Sequence, residues 1–260
     1  MTPGDAGSGD RRALELAMRL GDVRARIAAA AAGRAAPDLI VVTKYFPASD
    51  LRILARLGVA DVGENRDQEA AGKAAELEDL ALRWHFIGQM QTNKAKSVVR
   101  YAHSVHSVDR APLVDALGKA MAAEQARRAA QGLPDRPDLD CFLQFTLDDG
   151  VSGVPSTERD APRTRSRGGA LPADAEDLAR AVGAAAGLRL AGVMGVAPLG
   201  GDPADAFGRL LRISATVRAV DPSASAVSAG MSGDLEAAVA AGATHLRIGS
   251  DVLGPRPGVG

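Results

Sequence analysis

LIVVTK, residues 39–44, is a β-branched, almost unbroken apolar run that ends on a lysine. A strand without polar alternation is buried on both faces, the signature of a parallel sheet covered by helices. Side chains two apart share a face, so Ile40, Val42 and Lys44 point the same way. Runs of the same kind recur down the chain: VADVG (59–63), RWHFIG (83–88), SVHSVD (104–109), CFLQFTL (141–147), LRLAGVM (188–194), SAVSAG (225–230) and THLRIG (244–249). Helix-patterned segments at 49–57, 68–80, 94–101, 112–130, 173–186, 204–220 and 234–241 separate or follow them. Eight strand–helix units predict an α/β fold, a single closed (β/α)8 barrel of the TIM type. The alternative, an open doubly wound sheet, places a glycine-rich dinucleotide turn after its first strand, and TKYFPAS is not one.

An extra N-terminal helix is expected over 10–33. Leu14, Leu16, Met18, Leu20, Val23 and Ile27 form its apolar side, and Gly33 stops it. Residues 1–9 are small and polar and are expected to be disordered, so the barrel occupies 10–257. Residues 148–172, DDGVSGVPSTERDAPRTRSRGGALP, carry hardly any large apolar side chain and read as a flexible loop insertion on the C-terminal face. No internal repeat and no second domain are apparent.

Composition narrows the function. Hydrophobic residues make up 46% of the 260, enough for a sizeable core, and the formal net charge is −1. Neither nucleic acid nor an anionic membrane is expected as a partner, and aromatics at 3% are too scarce for a base-stacking platform. Cys141 is the sole cysteine, which excludes an intramolecular disulfide and a multi-cysteine metal site. With no signal-peptide layout at MTPGDAGSGD and no apolar run of membrane-spanning length, the expectation is a soluble cytoplasmic protein.

Lys44 stands where a barrel strand opens into the C-terminal mouth. An ammonium held near an apolar core loses hydration, which frees the amine to attack a carbonyl and form a Schiff base. Taken alone, it reads better as a solvated lysine just beyond the strand. Two late segments add weight. SAGMSGDLEAA sets Gly230, Ser232 and Gly233 before a helix, and RIGSDVLG sets Gly249 and Ser250 directly after strand eight. Small residues with free N–H groups in the loops after strands seven and eight suit a phosphate. Together with Lys44 they describe an aldehyde cofactor that carries a phosphate, for which pyridoxal 5′-phosphate (PLP) is the economical candidate. Arg247 shares a face with Gly249. Being a donor only, it would keep a pyridine nitrogen unprotonated and weaken the ring as an electron sink.

Six motifs carry a resemblance: VTK (42–44), GEN (63–65), WHFIGQMQTNK (84–94), GVM (192–194), GMSGD (230–234) and RIGSDVLG (247–254). With these the chain resembles the YggS/PROSC family of PLP-binding homeostasis proteins, which is similar to the barrel domain of alanine racemase. The resemblance implies a PLP-binding barrel with Lys44 as the Schiff-base lysine and Ser232, Gly233, Gly249 and Ser250 on the phosphate. It further implies Arg247 near the pyridine nitrogen and Asn65 and Met194 lining the ring. His85 and Asn93 belong to the signature without an evident role, and His85 reads equally well as a satisfied core histidine. The chain departs from the family in the length of 148–172 and in YFPASD after Lys44.

Three functions remain open at this level. One is a non-enzymatic PLP carrier, monomeric, that exchanges cofactor with apo PLP-enzymes; the resemblance favours it. The second is an amino-acid racemase, which needs a proton donor or acceptor on each face of Cα. Lys44 serves one face, but Tyr45 alternates away from it on a regular strand and Tyr101 ends a remote helix. The third is a barrel enzyme with Lys44 as an aldolase-like nucleophile toward a phosphorylated substrate.

Overall fold

The computed structural model describes residues 5–148 and 168–256. Its elements follow the order α1 (Asp5–Ala31), β1 (Asp38–Val42), α2 (Ala48–Arg56), β2 (Asp61–Glu64), α3 (Asp67–Glu76), β3 (Arg83–Phe86), α4 (Ala95–Tyr101), β4 (Ala102–Val108), α5 (Ala111–Ala130) and β5 (Leu139–Phe145). Then come α6 (Ala175–Ala184), β6 (Leu188–Gly195), α7 (Pro203–Val220), β7 (Ala226–Ser228), α8 (Leu235–Ala241), β8 (His245–Ile248) and α9 (Ser250–Leu253). The eight strands pair in parallel in sequence order and close into a barrel, the (β/α)8 architecture expected from the alternation. Closure is made by β1 against β8, with Ile40 opposite Arg247 and Val41 opposite Ile248. No helix among the described residues is long and apolar enough to cross a membrane.

Parity along the strands divides the molecule into two interiors. Val41, Val62, Trp84, Cys141, Val227 and Leu246 belong to one large apolar cluster that includes the helix residues Leu51, Leu117, Leu178, Leu210 and Leu235. This is the core, and it lies between sheet and helices. The opposite parity faces the barrel axis and is largely polar: Asp61, His85, Ser104, His106, Ser228 and Arg247 are all buried there. Phe142, Ala191 and Met194 form a small separate apolar cluster on the same axial side.

The N-terminal helix differs from expectation in two respects. It starts at Asp5, so residues 5–9, expected to be disordered, are helical; each added residue extends a helix already held by packing at the cost of little further ordering. Residues 1–4 lie outside the described residues. Its buried stripe is Leu16, Leu20, Val23, Ile27 and Ala31, whereas Leu14 and Met18 are exposed at 67% and 71%. Two residues on a helix turn about 200°, which carries Leu14 and Met18 away from a stripe set at i, i+4, i+7 and i+11. Arg12 fastens the helix to the barrel through Asp50 at 2.7 and 3.3 Å and the Leu253 carbonyl at 3.0 Å.

The insertion expected at 148–172 lies mostly outside the described residues. Its far end is fixed: Ala170 donates to the Gln144 carbonyl at 2.8 Å and accepts from Thr146 N–H at 3.0 Å. A register shift between β5 and β6 sets Phe142 opposite Gly192 while Cys141 stays opposite Leu190. Gly192 has φ +155°, and a Cβ there would stand 1.9 Å from the Ala226 carbonyl oxygen, inside the β6–β7 pairing. Flanking backbone of a closed barrel has little room to move aside. Gly192→Ala is therefore expected to lower Tm by roughly 5–10 °C, about 2–3 kcal/mol for a domain of this size. Thermal denaturation followed by circular dichroism checks it, and an unchanged melt would show that the strand accommodates the methyl group.

Candidate functional site

β1 ends at Val42, and its chain turns sharply at the mouth of the barrel. Thr43 N–H still donates to the Gly63 carbonyl at 2.9 Å, and Phe46 N–H closes a turn on the Thr43 carbonyl at 3.1 Å. Between them Tyr45 adopts φ +72°, a left-handed conformation that costs a non-glycine residue about 1 kcal/mol or more. The Tyr45 amide is held by Glu69, which accepts its hydrogen at 2.6 Å. Regular alternation therefore breaks at Tyr45, and the expectation that Tyr45 points away from Lys44 is overturned. Both side chains line one cavity, with Lys44 Nζ 5.9 Å from the centre of the Tyr45 ring.

That cavity, about 320 Å³, opens at the C-terminal end of the strands, where the βα loops of such barrels gather function. Lys44, Ser232, Gly233, Arg247, Gly249 and Ser250, singled out from widely separated stretches of sequence, all line it. Asn65 and Met194 are not on its wall. Met194 is buried against Phe142 and Ala191. Asn65 keeps the axial parity of Asp61 and Gly63 and has a buried Oδ1 with no hydrogen-bond partner. Asn93 sits in an exposed turn of 3-10 helix, Thr92–Lys94. Tyr45, Ile87, Met231 and Arg256 are among the further residues on the wall that the sequence did not single out as cofactor-binding.

One side of the cavity is built to receive an anion. Ser232 and Ser250, from the turns after β7 and β8, bring their hydroxyls within 3.2 Å of each other. The backbone N–H groups of Ser232, Gly233 and Ser250 donate to no acceptor among the described residues. Gly249 lets this turn approach β1, since a Cβ there would meet the Val42 carbonyl at 3.2 Å. Arg26 on the N-terminal helix braces both turns from behind. It bonds Asp251 at 2.7 Å, Glu236 at 3.0 Å and the Ser232 carbonyl at 3.2 Å. Sequence reasoning missed this brace because a helix-surface arginine has no signature of its target.

Arg247 forms the floor. Its guanidinium donates to Ser228 Oγ at 2.6 Å and to the Gly195 carbonyl at 2.9 Å. Burial pushes its pKa down to about 10, which still leaves it a cation at neutral pH. Ser228 Oγ lies 2.9 Å from His106 Nδ1, and His106 Nε2 lies 2.9 Å from Ser104 Oγ and 3.1 Å from His85 Nδ1. His85 Nε2 reaches Asp61 at 2.8 Å. His85 is thus a core histidine with both nitrogens satisfied and also a link between Arg247 and Asp61. Burial, then the cations His85 would become and Arg247, drive the His106 pKa well below its ordinary value, so this ring is neutral. Because Ser228 accepts from Arg247, its own proton turns toward His106 Nδ1, and the His106 proton sits on Nε2. Burial alone would raise the Asp61 carboxyl, but hydrogen bonds from His85 and Arg83 outweigh it and hold Asp61 well below the usual carboxylate range.

The arrangement offers an amine, an anion cradle and a buried donor floor in one concavity. Among the described residues Lys44 has no carboxylate partner, and no group of side chains is placed to hold a metal ion.

No family profile matches the chain. It is 42% identical over 263 residues to the pyridoxal phosphate homeostasis protein of Mycobacterium tuberculosis, with 94% of each chain covered. To the pyridoxal phosphate homeostasis protein of Escherichia coli it is 31% identical over 256 residues, covering 93% of this chain and 97% of the relative. Among solved structures it is similar to PipY of Synechococcus elongatus with PLP bound, at TM-score 0.71 and 29% identity, over 92% of this chain and 100% of PipY. Alanine racemase from Corynebacterium glutamicum, at TM-score 0.63 and 14% identity, shares the fold over 95% of this chain and 62% of its own. The chain belongs to the family of pyridoxal phosphate homeostasis proteins.

Proposed function

We propose that this protein binds PLP through Lys44 and acts in PLP homeostasis as a carrier rather than as a catalyst. The observation that carries the reading is the single cavity whose wall joins Lys44, Arg247 and the Ser232–Ser250 hydroxyl pair. These residues fit the group. The unpaired N–H groups and hydroxyls of the β7 and β8 turns suit its phosphate, the Lys44 amine its aldehyde and the Arg247 donors its ring nitrogen. Bound there, the cofactor supplies a carbonyl that primary amines capture reversibly. Lys44 would hold it through its amine, Ser232 and Ser250 would orient its phosphate, and Arg247 would present protons it does not surrender at neutral pH.

Two features support a carrier. The family is named for homeostasis, and an arginine at the ring nitrogen leaves it unprotonated, which weakens carbanion chemistry. Tyr45 no longer argues against an enzyme by its orientation. Its ring is nevertheless occupied by cations, with the Arg66 and Arg256 guanidinium carbons 5.3 and 5.0 Å from its centre. On this reading the protein works as a monomer, meets apo PLP-enzymes in the cytoplasm and delivers cofactor to them. Absorbance and transfer test it. The purified protein should absorb near roughly 420 nm and reactivate an apo PLP-enzyme, while amino-acid racemisation in the same preparation stays at the level of free PLP. Racemisation clearly above that level would establish the enzyme instead.

Borohydride reduction of the PLP-loaded protein should fix the label on the Lys44 peptide, and Lys44→Ala should lose both label and absorbance band. Label on another lysine would refute the assignment. The double variant Ser232→Ala/Ser250→Ala should bind PLP more weakly by about 1–4 kcal/mol, as expected for two hydrogen bonds to a charged group. Equilibrium titration measures it, and unchanged affinity would place the phosphate elsewhere.

A further inference from the structure

Lys73 on α3 is a buried lysine without a place in the cavity wall, 8% exposed beside Glu64 at 1%. Its ammonium lies 2.7 Å from Glu64 Oε1, 2.7 Å from Glu69 Oε1 and 3.0 Å from the Thr43 carbonyl. Thr43 Oγ1 donates to the same Glu64 oxygen at 2.7 Å, and the Tyr45 amide donates to the same Glu69 oxygen at 2.6 Å. Three charges thus converge on two backbone residues, and those residues are the immediate neighbours of Lys44.

A buried ion pair is a poor source of stability, because removing two charges from water offsets most of their attraction. This one is costlier than most. Glu64 Oε2 is buried with no hydrogen-bond partner, and burial raises the Glu64 pKa against the opposing pull of Lys73. Two other short ion pairs keep their arginine at the surface: Arg83 with Asp61 is 53% exposed and Arg127 with Glu124 is 37%. The Lys73 cluster also holds Tyr45 in its left-handed conformation, which no local preference favours. A cluster that is expensive, incompletely satisfied and wrapped on both sides of one residue has the character of a positioning device.

We infer that Lys73, with Glu64 and Glu69, is a positioning residue for Lys44: it fixes the Thr43 carbonyl and the Tyr45 amide so that the Lys44 amine is held at the aldehyde position of the ligand in the cavity. Attachment forms a C=N bond from Lys44 Nζ to the aldehyde carbon, breaks the C=O bond and releases the oxygen with two amine protons as water. Its equilibrium depends on where Nζ stands, whereas the hydroxyls of the phosphate cradle belong to the turns after β7 and β8, which the Lys73 cluster does not touch. The inference rests on the reading of Lys44 as the PLP anchor.

The experiment compares two probes on the full chain, PLP and pyridoxine 5′-phosphate, which carries the same ring and phosphate but no aldehyde. Lys73→Met should weaken PLP binding by about tenfold or more, as displacements of a reacting group do, while pyridoxine 5′-phosphate stays within about twofold of wild type. Lys73→Arg, which keeps the charge and the donors, should recover part of the loss. Glu69→Ala changes a partly exposed residue and removes the acceptor for the Tyr45 amide; it serves if Lys73→Met does not fold, with the same selective loss expected. Equal weakening of both probes would reduce the cluster to general support of the pocket and overturn the inference, as would no change in either. If wild type binds both probes equally and gives no borohydride adduct, the Lys44 reading fails first and this inference falls with it.

Discussion

The pairing of β1 with β8 is the constraint on which the rest depends. Residues 40 and 247 are more than two hundred positions apart in sequence, yet in the closed barrel they are neighbours across one ladder. Without that closure Lys44 would stand at the free edge of a sheet, and the hydroxyls after β7 and β8 would stand at the other. With it, the lysine, the arginine and the anion cradle converge on one concavity. Gly249 makes the approach close enough, because a side chain there would press on Val42. The N-terminal helix reinforces the same seam from outside, with Arg12 reaching α2 and the end of α9, and Arg26 reaching the turns at both Ser232 and Asp251.

The barrel axis is unusual in what it buries. A chain of hydrogen bonds runs from Arg247 through Ser228, His106, Ser104 and His85 to Asp61, with all six side chains buried. Such a chain is tolerable in a low-dielectric interior only if its members satisfy one another. Here the proton directions agree. Arg247 can only donate and Asp61, held ionised, can only accept, so the groups between them are oriented from one end to the other. The consequence for the site is that Arg247 cannot swing away to a carboxylate of its own. It remains in the floor of the cavity as a fixed set of donors, anchored from below by neutral acceptors.

Much of this was legible in the sequence. The apolar runs and their number predict the barrel, and strand parity places Lys44 and Arg247 on the axial face, where the cavity contains both. The small-residue turns after strands seven and eight stand out in the sequence as a pair, and both line the cavity. What failed did so for identifiable reasons. Tyr45 was misplaced because alternation was extended past the end of β1, where a positive φ breaks it. Met194 shares the axial face but packs against Phe142 and Ala191 rather than lining the cavity, a packing that no strand pattern specifies. Lys73 and Glu69 look like an ordinary solvated i, i+4 pair on a helix; that they dip beneath the Thr43–Tyr45 turn depends on how α3 packs over β1 and β2. Leu14 and Met18 were assigned to an apolar face by counting apolar residues rather than by their angular spacing.

Lys44 differs in kind from Lys73, and the contrast bears on what the site does. Both amines lie within one turn of the same backbone, but Lys73 is bonded three ways and enclosed, whereas Lys44 is half-buried, lines the cavity and has no carboxylate to hold it back. The carboxylates of buried Glu64 and partly exposed Glu69 are engaged by Lys73 and the backbone, so neither stands free beside Lys44. An amine that is accurately placed but lacks a neighbouring base is suited to capture a carbonyl and let it go. It is, on the proposed reading, less suited to repeated proton transfer at a carbon atom, which needs a poised base on each face. On the proposed reading, this division of labour between two lysines is what makes the site a tether: one supplies the position, the other the reversible bond.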